Sequence, residues 1–170
     1  MKVFAPTTLD EFRDILHYVE KLNCPVAIRY PKCSCLDRKT LPLKDGLWER
    51  VKEGDKVTIL AVGPRMLKLA LEVAEKMDGV SVISARSVKP LDEKVLDEIR
   101  ETLIVTLEEN SLIGGFASMV NGYYAYTGEK IFNFGVKDEF VHHGSINKQM
   151  EENGLTVENI ISVLDAKIKG

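Results

Sequence analysis

An apolar strand leads through acids and paired glycines into a helix in the stretch Thr106-Leu107-Glu108-Glu109-Asn110-Ser111-Leu112-Ile113-Gly114-Gly115-Phe116-Ala117-Ser118. Glycine permits close backbone approach and dihedral angles that other residues avoid, and a new helix offers unpaired N–H groups and the positive end of its dipole. α/β sheets present functional residues at such turns. The stretch therefore predicts an α/β fold with a site or an interface here, although turn chemistry alone also fits acids that are merely solvated.

Strands and helices alternate along most of the remaining sequence. Apolar, β-branched runs predict strands at residues 57–62, 80–85 and 103–107, with shorter strands at 131–134 and 140–142. Amphipathic spacing predicts helices at residues 66–77, from Asp92, at 115–126 and from Thr156. Strands that are separated by helices form a mostly parallel sheet covered on both faces, so the pattern predicts a three-layer α/β/α fold.

The N-terminal segment has a helix and a strand of its own. Thr8 and Glu11 have the spacing of a capping box, and apolar residues then recur on one face of a predicted helix at residues 9–22. A strand at residues 26–30 follows. Residues 32–53 combine Pro, Gly, Cys and charge without sustained periodicity, which is typical of a linker, and we place a boundary there.

Composition restricts the class of function. The chain has 170 residues, a net charge of -3 and no dense block of Lys and Arg, which argues against nucleic acid or a membrane as the main partner. No apolar run approaches the ~20 residues of a membrane span, and the N-terminus lacks the pattern of a signal peptide. We therefore expect a cytoplasmic protein with one sizeable core.

Three cysteines, Cys24, Cys33 and Cys35, lie in the first quarter of the chain. An odd, small number of thiols fits a reducing compartment better than a disulfide framework. The Cys33-Ser34-Cys35 pair is a weak zinc signal, because no second pair or nearby His has ligand spacing. We expect free thiols in a loop and no metal site.

Four strings of the sequence point to one enzyme family. They are Pro25-Val26-Ala27-Ile28-Arg29-Tyr30-Pro31, Ala85-Arg86-Ser87-Val88-Lys89-Pro90-Leu91-Asp92, the acidic and glycine run at residues 106–118, and Asp138-Glu139-Phe140-Val141-His142-His143-Gly144-Ser145. In order and spacing they closely resemble the C-terminal part of the 1-deoxy-D-xylulose-5-phosphate synthase family. The resemblance covers essentially the whole chain.

The resemblance implies a transketolase-like transferase that depends on thiamine diphosphate and magnesium. Such an enzyme condenses pyruvate with glyceraldehyde 3-phosphate, releases carbon dioxide, and supplies isoprenoid, thiamine and pyridoxal synthesis as a homodimer of three-domain subunits. By this resemblance, residues 1–35 are the tail of a pyrimidine-binding domain, 36–52 a linker and 53–170 a transketolase C-terminal-like domain. The family holds its cofactor and metal with other parts of the enzyme, so we expect this chain alone to bind neither and to be inactive.

The resemblance also implies a role for Arg29. This residue matches the family arginine that holds the phosphate of the acceptor substrate, and a guanidinium at the carboxyl end of a strand suits that task. The alternative is a structural ion pair. Lys32-Cys33 follows where the family usually has Arg-Gly, which removes a guanidinium fork and the freedom of a glycine. We expect phosphate binding by Arg29 rather than by Lys32.

Glu108, Glu109 and Asn110, together with Gly114 and Gly115, match a region that in related enzymes contacts the middle domain and the partner subunit. Two adjacent acids also fit the composition of a catalytic carboxylate pair. The family, however, places the acid that activates the cofactor elsewhere. We therefore expect an interface at these five positions and no catalytic or cofactor-binding residue in this chain.

His143 matches the His-Gly-Ser string of the family. It either polarises a group of the substrate or has a structural role, in which it caps the following helix together with Ser145. The structural role is favoured, because a lone histidine at a turn has no evident catalytic partner.

Two further interpretations remain open. The chain fits a free-standing anion-binding or regulatory α/β domain, which would use Arg29 and the glycine turn. It also fits the C-terminal half of another thiamine-dependent enzyme, such as transketolase or the β subunit of a 2-oxoacid dehydrogenase, although the string at residues 138–145 counts against this. In each case residues 4–31 have an apolar helix face and strand edges without cover, so we expect them to self-associate or to dock on the rest of the chain.

Overall fold

A computed structural model describes residues 1–30, 36–43 and 47–168 of the chain. Its helices are α1 (Leu9–Val19), α2 (Pro64–Lys76), α3 (Glu93–Glu98), α4 (Phe116–Tyr123), α5 (Ile146–Glu152) and α6 (Val157–Ile168). Its strands are β1 (Lys2–Phe4), β2 (Val26–Ile28), β3 (Glu49–Lys52), β4 (Val57–Ala61), β5 (Val80–Ser84), β6 (Ser87–Lys89), β7 (Leu103–Ser111) and β8 (Ile131–Val136). None of the described helices is both long and apolar enough to cross a membrane.

The larger sheet has the strand order β3-β5-β4-β7-β8. β4 pairs in parallel with both β5 and β7, β8 is parallel to β7, and β3 runs antiparallel to β5 at one edge. Every residue of β4 and of β5 is buried, which explains why these strands are rich in apolar and β-branched residues and have no exposed polar face. The predicted mostly parallel sheet is confirmed.

Helices cover both faces of this sheet. α2 and α6 pack on one face against residues such as Ile59, whereas α3 and α4 pack on the other face against residues such as Leu60 and Ile104. Successive side chains of a strand point to opposite faces, so the neighbours Ile59 and Leu60 belong to different halves of the core. The predicted three-layer α/β/α fold is confirmed.

A second sheet of three strands joins the N-terminal segment to the rest of the chain. β1 lies in its centre, parallel to β2 and antiparallel to β6. α1 packs on this sheet through a small core that includes Phe4, Ile15 and Leu43. Because β6 follows β5 closely along the chain, this pairing docks the described part of the N-terminal segment, residues 4–30, on the remainder of the molecule, which is one of the two outcomes expected for that segment.

A buried ion pair crosses the same junction. Arg86 lies between β5 and β6, Glu11 lies in the first turn of α1, and the side chains of both are fully buried. The distance between Arg86 Nη1 and Glu11 Oε1 is 3.4 Å. Arg86 also donates to the backbone carbonyl oxygens of Leu41, Pro42 and Leu47. One side chain therefore connects the start of α1, the segment before β3 and the link between the two sheets.

The capping box at the start of α1 forms only in part. Thr8 caps the helix as predicted, because its hydroxyl accepts from the Glu11 N–H at 3.1 Å. The Glu11 carboxylate, however, accepts from the N–H and the hydroxyl of Thr7 and pairs with Arg86. An acid that the sequence assigns to a local cap thus makes a long-range contact.

Several short elements differ from the sequence predictions. The predicted strand at residues 140–142 is wrong: these residues lie in an irregular stretch, and the Phe140 side chain is 85% exposed, with no sheet to cover it. α5 follows at residues 146–152, where periodicity predicts no helix, although the capping role considered for His143 and Ser145 implies a helix after Ser145. The sequence predictions also lack β1 and β6, and β3 lies within the stretch expected to be a linker.

Candidate functional site

The larger sheet changes its winding direction between β4 and β7. The chain continues from β4 to β5 on one side of β4, and then crosses to β7 on the other side. The helices that follow the two strands, α2 and α4, lie on opposite faces of the sheet. A crevice opens at such a point beyond the carboxyl ends of the strands, and open α/β sheets bind their ligands there.

A pocket of about 380 Å³ occupies this crevice. The turn between β4 and α2 forms one wall, with Val62, Gly63 and Pro64, and Glu109 near the end of β7 forms another. The end of β2 contributes Arg29 and the adjoining residues Ile28 and Tyr30, and Ala5 follows β1. Both sheets therefore contribute to the pocket, and the docking of the N-terminal segment is needed to complete it.

Arg29 extends the pairing of β2 with β1 by one residue. Its N–H donates to the Phe4 carbonyl oxygen at 2.8 Å, so the backbone is fixed while the residue is exposed. Within the part of the chain that the structure describes, the Arg29 guanidinium has neither an ion-pair nor a hydrogen-bond partner. A free guanidinium on a fixed backbone is well suited to bind an anion.

The N-terminus of α2 lies on the opposite wall of the pocket. Gly63 is the N-cap residue, with a φ of 81°, and no side chain caps the helix. Pro64 follows at the first helical position, where a missing N–H costs nothing. The positive end of the helix dipole and the free N–H groups of this first turn add to the field of Arg29.

Glu108 faces inward and is fully buried. Its carboxylate accepts from the N–H groups of Phe116 and Ala117, at 3.0 and 2.8 Å, and so caps the N-terminus of α4. Burial raises the pKa of the Glu108 carboxyl above its ordinary value, whereas the two N–H donors and the charge of Arg29 act in the opposite direction. The first acid of the pair is therefore a helix cap.

Glu109 points to the pocket and has a different partner. It forms an ion pair with Arg65 in the first turn of α2, and both side chains are about one quarter exposed. The sequence reasoning did not identify Arg65. The signal that could have found it is the Gly63-Pro64-Arg65 string after a buried strand, which repeats the strand-to-glycine-to-helix pattern of residues 106–118.

The remaining positions of the expected interface lie at the same edge of the sheet. Asn110 and Gly114 are exposed, and Gly114 has a φ of 74°, a conformation that favours glycine. Gly115 is buried beside the carboxylate of Glu108. The structure thus brings Glu108, Glu109 and the two glycines together around the N-terminus of α4.

His143 lies apart from the pocket. It is exposed in the stretch between β8 and α5, and it is not among the described residues that line the crevice. Ser145 caps α5 by accepting from the Lys148 N–H at 3.3 Å. Lys32, Cys33 and Cys35 lie outside the described residues, so the expectations for them stay predictions, and Cys24 is a free, exposed thiol.

The pocket has the chemistry of an anion site. A free guanidinium and an uncapped helix N-terminus supply positive charge and hydrogen-bond donors, and a phosphate group is the anion that such donors typically bind in proteins. The described residues include no group of three or more His, Cys, Asp or Glu side chains that could hold a metal ion. Glu109, the carboxylate among the described lining residues, is already paired with Arg65.

Comparison with known protein sequences agrees with the family resemblance of the four sequence strings. The family profile described as "Transketolase, C-terminal domain" matches residues 46–160. A 1-deoxy-D-xylulose-5-phosphate synthase from Clostridium perfringens is 35% identical over 96% of this chain and 28% of its own length. The same enzyme from Francisella tularensis subsp. tularensis is 37% identical over 98% of this chain and 28% of its own length. The chain thus spans somewhat more than a quarter of the curated relatives that it matches.

Solved structures support the fold. A chain described as "Split gene transketolase, inactive beta4 tetramer" superposes with a TM-score of 0.81 at 30% identity, covering 98% of this chain and 57% of that one. A transketolase from Campylobacter jejuni superposes with a TM-score of 0.71 at 16% identity, covering 97% of this chain and 26% of that one. The second likeness concerns the fold alone.

Proposed function

Because the chain belongs to the transketolase C-terminal domain family, we propose that it is the C-terminal part of a 1-deoxy-D-xylulose-5-phosphate synthase. Curated relatives with this name match almost the whole chain at 35–37% identity. The complete enzyme would be a cytoplasmic homodimer that condenses pyruvate with glyceraldehyde 3-phosphate. In it, residues 1–35 would be the tail of the pyrimidine-binding domain, 36–52 a linker and 53–170 the C-terminal domain.

The observation that carries this proposal is the free guanidinium of Arg29 in the crevice between β4 and β7. We assign to Arg29 the binding of the phosphate of glyceraldehyde 3-phosphate. Two parallel N–H···O contacts from a planar guanidinium would fix both the position and the orientation of the acceptor. The first turn of α2 would complete the phosphate site with backbone N–H groups.

The described residues offer magnesium no group of three or more His, Cys, Asp or Glu side chains, and Glu109, the carboxylate among the described lining residues, is paired with Arg65. We therefore assign thiamine diphosphate and magnesium to the other domains of the enzyme, and we derive no step through them. When bound there, the cofactor would supply the carbanion chemistry of the reaction. The role of this chain is to bind the acceptor and to complete the assembly.

The turn between β7 and α4 is the proposed contact with the other domains and with the second subunit. Glu108 keeps this turn in place from within, whereas Glu109, Asn110 and Gly114 are accessible at its surface. A rigid turn with an exposed rim is suited to an interface, since little conformational freedom is lost on binding. His143 would lie beside this surface as a structural or substrate-side residue.

A second candidate is the C-terminal part of a transketolase. The split-gene transketolase chain favours it, because its likeness to this chain combines a TM-score of 0.81 with 30% identity. That chain was solved as an inactive beta4 tetramer. Both candidates are parts of thiamine-dependent enzymes, and they differ in the donor substrate, which is pyruvate for the synthase and a ketose phosphate for transketolase.

The purified 170-residue chain is expected to have no synthase activity, because the family it resembles holds cofactor and metal with other parts of the enzyme and the described residues include no group of metal ligands. The measurement supplies thiamine diphosphate, magnesium, pyruvate and glyceraldehyde 3-phosphate and follows release of carbon dioxide. Activity should appear when the chain is co-expressed with the remaining domains of a related synthase. Product from the chain alone would contradict the assignment. Activity of the assembly with a ketose phosphate but not with pyruvate would favour the transketolase alternative.

In the active assembly, Arg29→Ala should raise the KM for glyceraldehyde 3-phosphate about 10- to 100-fold, since it removes a charge-assisted contact worth roughly 1.5–3 kcal/mol. The affinity for thiamine diphosphate should stay unchanged. Arg29→Lys should restore only part of the loss, because an ammonium cannot form the two-pronged contact. Arg13→Ala is the matched control, since Arg13 is exposed on α1 and pairs with Asp10. Equal loss of acceptor and cofactor affinity in Arg29→Ala would identify a structural role instead.

A further inference from the structure

We propose that the Arg65–Glu109 ion pair is a positioning device that keeps Arg29 free for the incoming anion. This inference rests on the anion site proposed above. It assigns to Arg65 and Glu109 the control of anion affinity at that site, in addition to the interface role proposed for Glu109. Arg65 is then a residue that acts through its neighbour and does not itself have to contact the ligand.

The ion pair stands between two cavities. Glu109 lines the 380 Å³ pocket that contains Arg29, and it also lines a neighbouring pocket of about 140 Å³. Arg65 lines the smaller pocket only. Glu109 therefore borders both cavities, whereas Arg65 borders only the cavity that Arg29 does not line. This geometry draws the carboxylate away from the anion site.

Charge explains why the direction of this pairing matters. Among the described residues that line the larger pocket, Arg29 is the cation and Glu109 is the acid. Without Arg65, the Glu109 carboxylate would have Arg29 as the cation in the same pocket. An ion pair between Glu109 and Arg29 would then occupy the guanidinium that the anion needs. An unpaired Glu109 would also repel an anion directly.

Glu108 cannot take over this function. Its carboxylate is buried and accepts from the N–H groups of Phe116 and Ala117, so it is committed to the cap of α4. The charge of Arg29 acts to lower the pKa of Glu108, but both carboxylate oxygens of Glu108 already accept hydrogen bonds. The adjacent acids of β7 thus have separate tasks: Glu108 fixes the turn, and Glu109 sets the charge in the pocket together with Arg65.

The test measures binding of inorganic phosphate to the 170-residue chain at low ionic strength by isothermal titration calorimetry. Arg65→Gln should weaken binding about three- to tenfold, because Glu109 is released toward Arg29. Glu109→Gln should bind phosphate at least as tightly as the unmodified chain. The double variant Arg65→Gln/Glu109→Gln should return to within about twofold of the unmodified affinity, which a merely structural role of Arg65 would not produce.

Two controls separate this effect from a general change of charge or of fold. Lys68→Gln removes one positive charge from the same helix, where Lys68 is exposed and pairs with Glu72, and should leave phosphate affinity unchanged. Arg65→Lys keeps the ion pair and should bind as the unmodified chain does. Circular dichroism melts establish that each variant is folded. If Arg65→Gln alone does not fold, the double variant is compared with Glu109→Gln: equal phosphate affinity within about twofold supports the proposal, and weaker binding by the double variant overturns it.

Unchanged affinity in Arg65→Gln, or weaker binding in Glu109→Gln, would overturn the proposal. A double variant as weak as Arg65→Gln alone would show that Arg65 contacts the anion directly, which would also overturn it. Failure of the unmodified chain to bind phosphate would remove the anion site itself, and the proposed function and this inference would then fail together. Normal binding by the unmodified chain with unaffected variants would overturn this inference and leave the proposed function intact.

Discussion

Replacing Arg86 with leucine is expected to lower the free energy of unfolding by about 3–5 kcal/mol, which is the usual cost of leaving one partner of a buried ion pair without the other. The Glu11 carboxylate is fully buried, and among the described residues it would keep Arg38, at the longer distance of 4.0 Å, as its cationic neighbour. The carbonyl oxygens that now accept from Arg86 would lose a donor as well. Because these groups join the two sheets, the N-terminal segment should separate first.

Urea denaturation followed by circular dichroism measures the effect. Arg13→Leu is the control on the same helix as Glu11, since Arg13 is 63% exposed and pairs with an exposed Asp10. It should change the free energy of unfolding by less than about 1 kcal/mol. A similar small change for Arg86→Leu would mean that the ion pair does not hold the N-terminal segment in place.

Gly115→Ala is expected to destabilise the protein by about 3 kcal/mol, at the upper end of the range for an overpacked position. A Cβ atom at this position would lie 2.5 Å from Glu108 Oε2 and still closer to the Ser111 carbonyl oxygen. The backbone conformation suits alanine, with a φ of −85°, so the cost comes from collision alone. Relief of the collision would move the Glu108 carboxylate away from the N-terminus of α4.

Gly122→Ala provides the matched control within α4. A Cβ atom at Gly122 would have no neighbour within 4 Å, and the residue lies inside the helix. This substitution should therefore stabilise the protein by about 0.5–1 kcal/mol, since alanine favours the helix more than glycine does. Thermal melts of the two variants should shift in opposite directions. A shift of both in the same direction would refute the steric explanation for Gly115.

The central strands could be predicted from the sequence because of their burial. β4, β5 and most of β7 are buried on both faces, so their sequences are rich in apolar and β-branched residues. The helices that cover them have apolar residues on one side, which produces a clear helical period. Local sequence and global fold agree in these elements, and the predictions for them are confirmed.

The elements that the sequence does not predict have no such local signal. β1 and β6 have three residues each and become strands by pairing with each other across the chain. α5 has no buried residue, so it lacks an apolar stripe that periodicity could detect. The sequence at residues 140–142 has the composition of a strand, but these residues join neither of the two sheets and stay irregular.

Some residues of the candidate site could likewise be predicted from the sequence, whereas others could not. Arg29 stands out in the sequence because it lies at the carboxyl end of a predicted strand within a string that resembles the family. Arg65 does not, because its importance depends on Glu109, which lies more than forty residues away along the chain. The sequence also does not separate the tasks of Glu108 and Glu109, since adjacent residues of a strand point to opposite sides and only the packing of the sheet decides which side is buried.

The pairing of β1 with β6 has a consequence for synthesis of the protein. The partner residues Val3 and Lys89 are more than eighty positions apart. β1 is therefore synthesised well before β6, its antiparallel partner. At ribosomal rates of roughly 5–20 residues per second, that delay lasts about 4–17 seconds. During this interval β1 can pair with β2, but the other edge of β1 stays open. A chaperone that binds nascent chains would therefore find its substrate at this open strand edge, before the ribosome has reached β6.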